Sequence, residues 1–208
     1  MLARMAPPAA ARVTPDLIRP TALAVARGFQ DNEIWEWIVP DDAVRARMLP
    51  RYYEMLIERV FLPRGEAWAA TDADGTVVGG ALWNGPGDHG LRWHERLREA
   101  WVMRPTGWLG FKRGGVSEAT MKEHHPRGPH LYLLTLSIEP EAQRRGFGSV
   151  LMKPLIDRAD AERLPVYLET QRESNVPFYR RFGFELTGEV TIPGGPPMWL
   201  MWREPAGA

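Results

Sequence analysis

The chain has 208 residues, enough for one domain with a sizeable core, and its 26 basic and 26 acidic side chains cancel. That balance gives no general surface for nucleic acid or an anionic membrane. Cysteine is absent, which excludes disulfides, thiolate zinc sites and a cysteine nucleophile.

Residues 1–9 read as a loose tail, followed by a short edge strand over Ala10 to Val13. Thr14-Pro15-Asp16 is a helix start, a hydroxyl cap followed by proline and an acid in the first turn. That helix carries Leu17, Ala24 and Val25 inward and stops near Gly28. Asp31 to Val39 contains two tryptophans and ends at Pro40. From Asp41 to about Phe61, Val44, Met48, Tyr52, Met55, Leu56 and Val60 recur at helical spacing, and Pro50 predicts a kink or two short helices. Glu66–Thr71 and Thr76–Trp83 flank Asp72-Ala-Asp-Gly75, a strong hairpin signal. Residues 84–127 form a long excursion before the next strand, an insertion that is either a lid or a solvated decoration. Within it Leu91–Met103 has helical periodicity, while the Gly-Pro-Gly after Asn84 and Gly114-Gly115 read as loops.

His130 to Leu164 organises the rest. His130–Ile138 is apolar at nearly every position and rich in β-formers, which predicts a strand buried on both faces. Glu139-Pro140 stops it. Gln143-Arg-Arg-Gly146-Phe-Gly148 then opens a helix to about Leu164, with Phe147, Val150, Leu151, Pro154, Leu155 and Ala159 on one stripe and a bend expected at Pro154. Two glycines let the backbone approach a ligand, and the first helical turn offers unpaired N–H groups at the positive dipole end. With Arg144 and Arg145 alongside, strand, bend and helix suit a phosphate or pyrophosphate. The alternative is a helix capped by a plain tight turn. Neither dinucleotide-fold nor P-loop spacing is present. Val166–Thr170 reads as a strand parallel to the first, reached by this crossover, then Pro177–Phe182 as a short helix. Phe184–Ile192 and Met198–Arg203 form a closing hairpin.

Gln143-x-x-Gly146-x-Gly148 after an apolar strand resembles the acyl-coenzyme A loop of the GNAT superfamily of N-acetyltransferases. The likeness continues through Pro165–Thr170, Asn175–Phe184 and Met198–Arg203, and in wording is similar to the puromycin N-acetyltransferase group, including Pro154 inside the helix. It is strong from His130 onward and faint before. The resemblance implies an α/β (α+β, three-layer) fold: a mixed, mostly antiparallel sheet of six or seven strands with helices on both faces. In that fold the central strand and the next parallel strand splay, and the thioester arm lies in the gap. Carried over, backbone groups of Leu136, Ser137 and Ile138 would hold the pantetheine arm, one N–H facing the thioester oxygen. Amides from Arg145 through Gly146, Phe147 and Gly148 to Ser149 would hold the pyrophosphate, with Arg144 or Arg145 adding charge.

Tyr179 stands at the family's tyrosine position, which implies the acid that protonates the departing thiolate; the bland alternative is a packed aromatic. Many family members carry an asparagine seven residues earlier; here that position is Arg172, and Asn175, four residues before Tyr179, is the candidate for the cofactor contact. Glu169, near the carboxyl end of an apolar strand, is the candidate base, its pKa raised by burial; the alternative is an ion pair with Arg172 or Arg180. His124-His125 and His130 lack metal-ligand spacing and read as polar loop residues, with His130 a candidate to orient substrate. Phe29, Trp35, Trp37, Trp83 and Trp101 are candidates for an aromatic acceptor pocket.

The reading is one domain over residues 1–208 that moves an acetyl group from acetyl-CoA to a primary amine of a small molecule, antibiotic-like or a metabolite, by direct attack. A peptide or protein acceptor is the alternative. The alternative from another class is a non-catalytic acyl-CoA-binding module. No metal, nucleic acid or membrane partner is expected. A short, broken apolar run at the amino terminus and the lack of a long apolar stretch point to the cytoplasm, as monomer or homodimer.

Overall fold

The computed structural model describes residues 8–87 and 90–207. Its frame is a seven-stranded sheet in the order β1-β2-β3-β4-β5-β7-β6. The strands are β1 (Ala9–Arg12), β2 (Gly65–Thr71), β3 (Val77–Asn84), β4 (Leu131–Ile138), β5 (Val166–Thr170), β6 (Glu185–Thr191) and β7 (Pro197–Arg203). Every neighbouring pair is antiparallel except β4 and β5. That one parallel pair needs a crossover, supplied by a helix over Phe147–Glu162. The mixed, mostly antiparallel sheet with helices is the expected architecture.

Ahead of β2 come α1 (Ile18–Gly28), α2 (Glu33–Ile38), α3 (Asp42–Leu56) and the single turn α4 (Leu62–Arg64). Between β3 and β4 come α5 (Trp93–Met103) and α6 (Gly107–His124); α7 (Phe147–Glu162) and α8 (Val176–Arg180) flank β5. Asn32 accepts from the Ile34 amide and Asp41 from the Val44 amide, whereas the expected Thr14 cap is not made: Thr14 donates to Asp16 Oδ1 at 2.7 Å, and a 3-10 turn over Pro15–Leu17 precedes α1. The β2–β3 turn is held by Asp72, whose Oδ1 accepts from Asp74 and Thr76 at 3.0 and 2.9 Å, with Gly75 at φ 79°.

Two cores form, one on each face of the sheet. Val25, Met48, Leu56 and Leu82 pack in the first, Leu133, Phe147, Leu151 and Leu168 in the second. Helix α1 lies so close to β4 that a Cβ at Gly28 would come within 2.2 Å of Ser137 Oγ. Arg45, fully enclosed, ties α1, α2 and α3 together by donating to the carbonyls of Gln30 and Val39, each at 2.6 Å.

Four further local expectations are corrected. Residues 1–7 of the proposed tail lie outside the described residues, and Ala9 already belongs to β1, paired with Thr71. Helix α3 runs through Pro50 unbroken; core packing of Met48, Leu49 and Tyr53 on both sides of the proline holds it, and the irregularity comes later, as a π-helical turn over Ile57–Phe61. Gly114-Gly115 is inside α6, not a loop, because buried Gly110, Ser117 and Thr120 anchor the helix before and after it. Finally, β4 is not buried on both faces throughout: Leu134 is exposed and Leu136 half-buried.

Candidate active site

The exposure of Leu134 has a topological cause. Strand β5 pairs with β4 only at Leu131↔Val166, Tyr132↔Tyr167 and Leu133↔Leu168. Beyond Leu133 the two strands part, and the β5-facing edge of β4 has no strand partner. On the other edge, Trp83 pairs with Leu133 and Leu82 with Thr135, so Leu134 is the extra residue of a β-bulge. A bulge increases local twist, which helps turn β4 away from β5.

The gap opens into a cleft of about 930 Å3. Leu134, Thr135 and Leu136 line it from β4, Glu169 and Thr170 from β5, and Asn175 and Tyr179 from around α8. The opposite wall contains Phe29, Trp35, Tyr52 and Tyr53, and Glu99, Gly114 and Gly115 of α5 and α6. The segment over 84–127 therefore contributes directly to the cleft.

Glu169 sits where β5 leaves β4. Its Oε2 accepts from the Tyr132 hydroxyl at 2.8 Å, and its enclosed Oε1 has no hydrogen-bond partner among the described residues. Burial pushes its carboxyl up to about 7, against the lowering influence of the Tyr132 and Tyr167 hydroxyls. The proposed arginine pairing is not found: Arg172 instead binds Glu33 of α2 through Nε at 2.9 Å. Tyr179 is buried among core side chains, which raises its hydroxyl pKa, and that hydroxyl makes no hydrogen bond among the described residues. Tyr52 and Glu99 on the far wall are also raised by burial first, and then by carboxylate charge, that of Glu99 on Tyr52 and that of Glu118 on Glu99.

Next to α8 stands the glycine-bearing bend. Arg144 and Gly146 have positive φ, 60° and 90°, and α7 begins at Phe147. The amides of Ser149 and Val150 bond back to the Gly146 carbonyl at 3.0 and 3.3 Å. The five preceding amides, residues 144–148, have no acceptor among the described residues. Phe178 packs beside Gly148, where a Cβ would come within 3.2 Å of its ring. Five amides without acceptors among the described residues, at a helix start beside a parted strand edge, fit a pyrophosphate with an extended arm.

Residues 31–184 match the family model described as "Acetyltransferase (GNAT) family". The chain belongs to the GNAT acetyltransferase family. The GNAT family is one of acetyltransferases that use acetyl-CoA. This GNAT protein is 29% identical over 146 residues to an uncharacterised N-acetyltransferase of Schizosaccharomyces pombe, covering 63% of this chain and 58% of that one. A Corynebacterium glutamicum structure described as histone acetyltransferase HPA2 and related acetyltransferase superposes with a TM-score of 0.71, 24% identity and 98% and 99% of the two chains covered. Arylalkylamine N-acetyltransferase 2 of Aedes aegypti gives 0.61 at 12% identity over 95% and 98%. Naa20 of Chaetomium thermophilum, solved with a bisubstrate analogue, gives 0.52 at 14% over 94% and 86%. These structural likenesses show the fold.

In this GNAT protein several expected site residues come together and others do not. Glu169, Tyr179, Asn175, Leu136, Phe29 and Trp35 all line the cleft. Asn175 donates to Thr170 Oγ1 at 3.0 Å. Ser137 turns its hydroxyl the other way, to the Val25 carbonyl at 3.0 Å, so only its backbone can serve the gap. The Ile138 carbonyl accepts from the Gln143 side chain, which braces the bend. Phe147 is a core side chain with the Arg145 guanidinium over its ring, and the Ser149 amide is already bonded, which moves the set of available amides one residue upstream to Arg144.

The acceptor-pocket assignment is the least accurate. Trp83 is buried on the opposite sheet face, stacked on Trp68, because strand alternation turns it away from Leu82 and Asn84. Trp37 packs under Arg113 and beside Gly195, and Trp101 lies on the outer face of α5. His130 is buried behind the cleft; His125, which bonds its Nε2 at 3.0 Å, lines the cleft instead. His124 bonds back to the Thr120 carbonyl, and no metal-binding group of three His, Asp or Glu occurs among the described residues. Sequence reasoning missed Tyr132, Leu134 and Tyr52. Tyr132 was within reach, since the parallel register sets it beside Tyr167, two residues from Glu169 on the same face; the bulge and the helix packing were not.

Proposed function

We propose that this GNAT protein transfers an acetyl group from acetyl-CoA to the primary amine of a small, aromatic-bearing molecule, by direct attack in the cleft between β4 and β5. The supporting observation is that a carboxylate titrating near neutrality and a tyrosine hydroxyl line one cleft at the point where the two strands part. Of the solved structures named above, one is named an arylalkylamine N-acetyltransferase and another a histone acetyltransferase. Four aromatic side chains on the far wall favour the small acceptor.

In this reading the amides of residues 144–148 hold the pyrophosphate and Arg144 or Arg145 adds charge. The unpaired edge of β4 from Leu134 to Ile138 holds the pantetheine arm, and an N–H near the bulge faces the thioester oxygen. Glu169 takes a proton from the acceptor ammonium, directly or through one water, and the freed amine attacks the carbonyl carbon. A carbon–nitrogen bond forms and the oxygen gains charge against the β4 amide. As the carbon–sulfur bond breaks, the Tyr179 hydroxyl donates to the sulfur. Burial keeps that hydroxyl protonated, so it acts first as a hydrogen-bond donor, with the proton following to give the free thiol; the second proton, shed by the new amide nitrogen, returns to the tyrosine oxygen through water, and Glu169 releases its proton to solvent.

The test is thiol release from acetyl-CoA with arylalkylamines, aminoacyl nucleosides of the puromycin type and short peptides. Turnover on small aromatic amines, exceeding that on peptides, is expected. Preference for peptides would reverse the acceptor assignment, and acetyl-CoA binding without turnover on any amine would identify a non-catalytic module.

A further inference from the structure

Helix α5 presents to the outside what a core helix hides. Trp93, Leu97 and Trp101 recur every four residues on one stripe and are 75%, 64% and 53% exposed. The chain then turns, and the first residues of α6 expose Trp108 at 81%, with Leu109 and Phe111. Single exposed apolar residues need no account, but three tryptophans on one helical pair do.

The charges around these residues name the occupant. Between residues 92 and 112 the only carboxylates are Glu95 and Glu99. Glu95 is buried in an ion pair with Arg64 at 2.5 Å, and Glu99 lines the cleft. Arg96 is paired with Glu118. That leaves Arg92, Arg98, Arg104 and Lys112 exposed, none in an ion pair among the described residues. The Arg98 guanidinium lies 4.6 Å from the Trp101 ring, its stem along the apolar stripe. The charges left unpaired beside these aromatics between residues 92 and 112 are thus all cationic, although the chain as a whole is neutral. A second copy fits poorly, because a two-fold contact would gather the unpaired cations Arg98, Arg104 and Lys112 of both chains, while the nearby Glu118 is already committed to Arg96.

We propose that α5 and the start of α6 dock this protein onto an anionic lipid surface. The tryptophan rings sit at the headgroup level and Arg98, Arg104 and Lys112 meet lipid phosphates. Whole-chain neutrality conceals the site, and the expectation of no membrane partner rested on that neutrality.

Sedimentation with vesicles tests it, using phosphatidylcholine alone and phosphatidylcholine with phosphatidylglycerol. Binding only to the phosphatidylglycerol vesicles is expected, with a blue shift of tryptophan emission and release by salt. Arg98→Gln with Arg104→Gln should weaken partition about 25-fold, roughly fivefold for each charge. Trp93→Ser with Trp108→Ser should reduce the emission shift to the part that Trp101 supplies while leaving the melting temperature in place, since both replaced rings are exposed. No sedimentation with either vesicle, or binding unaffected by both pairs of substitutions, overturns the proposal. So does a concentration-dependent dimer lost in the same tryptophan variant, which would assign the surface to a second copy. None of these readouts depends on acetyl transfer.

Discussion

Replacing Glu169 with glutamine separates catalysis from stability. Glutamine keeps an oxygen for the Tyr132 hydroxyl, so the local packing should survive. The folded carboxyl titrates at about 7, and in the unfolded chain a glutamate titrates at about 4.3. A folded value raised in this way means the carboxyl is tolerated while protonated, and the native state loses stability as pH climbs through that window. The gap corresponds to up to about 4 kcal/mol at pH 8, at 1.36 kcal/mol for each pH unit. Glu169→Gln should therefore be more stable than the parent by a value approaching that figure at pH 8. The difference should shrink steadily toward pH 4. In the same variant turnover should fall by about 10²- to 10⁴-fold, the usual contribution of a positioned base, and the rise of rate through pH 7 should vanish. Urea unfolding at pH 5, 6.5 and 8, alongside thiol-release kinetics over the same range, reads both. An identical pH–rate profile with unchanged stability at pH 8 would refute the assignment of a buried, titrating base.

Tyr179→Phe should lower turnover by about 10²-fold with little change in acetyl-CoA affinity, measured by calorimetry against kinetics, because the ring packing remains and only the hydroxyl is lost. Gly146→Ala forces a Cβ onto a residue at φ 90° and should cost about 1–2 kcal/mol in chemical unfolding while raising the KM for acetyl-CoA. A Cβ at Gly115 meets nothing within 4 Å, so Gly115→Leu should add up to about 1 kcal/mol of thermal stability to α6; bulky amines should lose about tenfold in kcat/KM with the acetyl-CoA KM unmoved. Asp160 is held below the usual carboxylate range by Arg203, at 2.8 and 3.0 Å, and by the Ala206 amide. Asp160→Asn should thus be the less stable protein above about pH 4, with the deficit disappearing as acid protonates the wild-type carboxyl.

The local chemistry of the chain was enough for much of this. Asp72 to Gly75 dictates a turn whatever surrounds it, since one carboxylate satisfies two amides and a glycine takes the positive φ. The bend from Gln143 to Gly148 likewise states its own geometry, and apolar runs name β4 and β5 because a two-sided sheet needs them. That Glu169 and Tyr179 would line a cleft was legible from an anomaly, a carboxylate on an apolar strand and a tyrosine in a recognisable pattern. What lay beyond reach depends on residues distant in sequence. Pro50 and Gly114-Gly115 break helices by local propensity, yet contacts from other elements outweigh that propensity at both positions. Trp83 and Trp101 look equivalent as letters, but strand alternation buries one behind the sheet and the helix phase turns the other to solvent. The cleft itself is a property of two strands that pair for three residues and then part. Composition and periodicity describe each strand alone, and the divergence between them exists only once α1, α3 and α7 have packed the sheet into its twist.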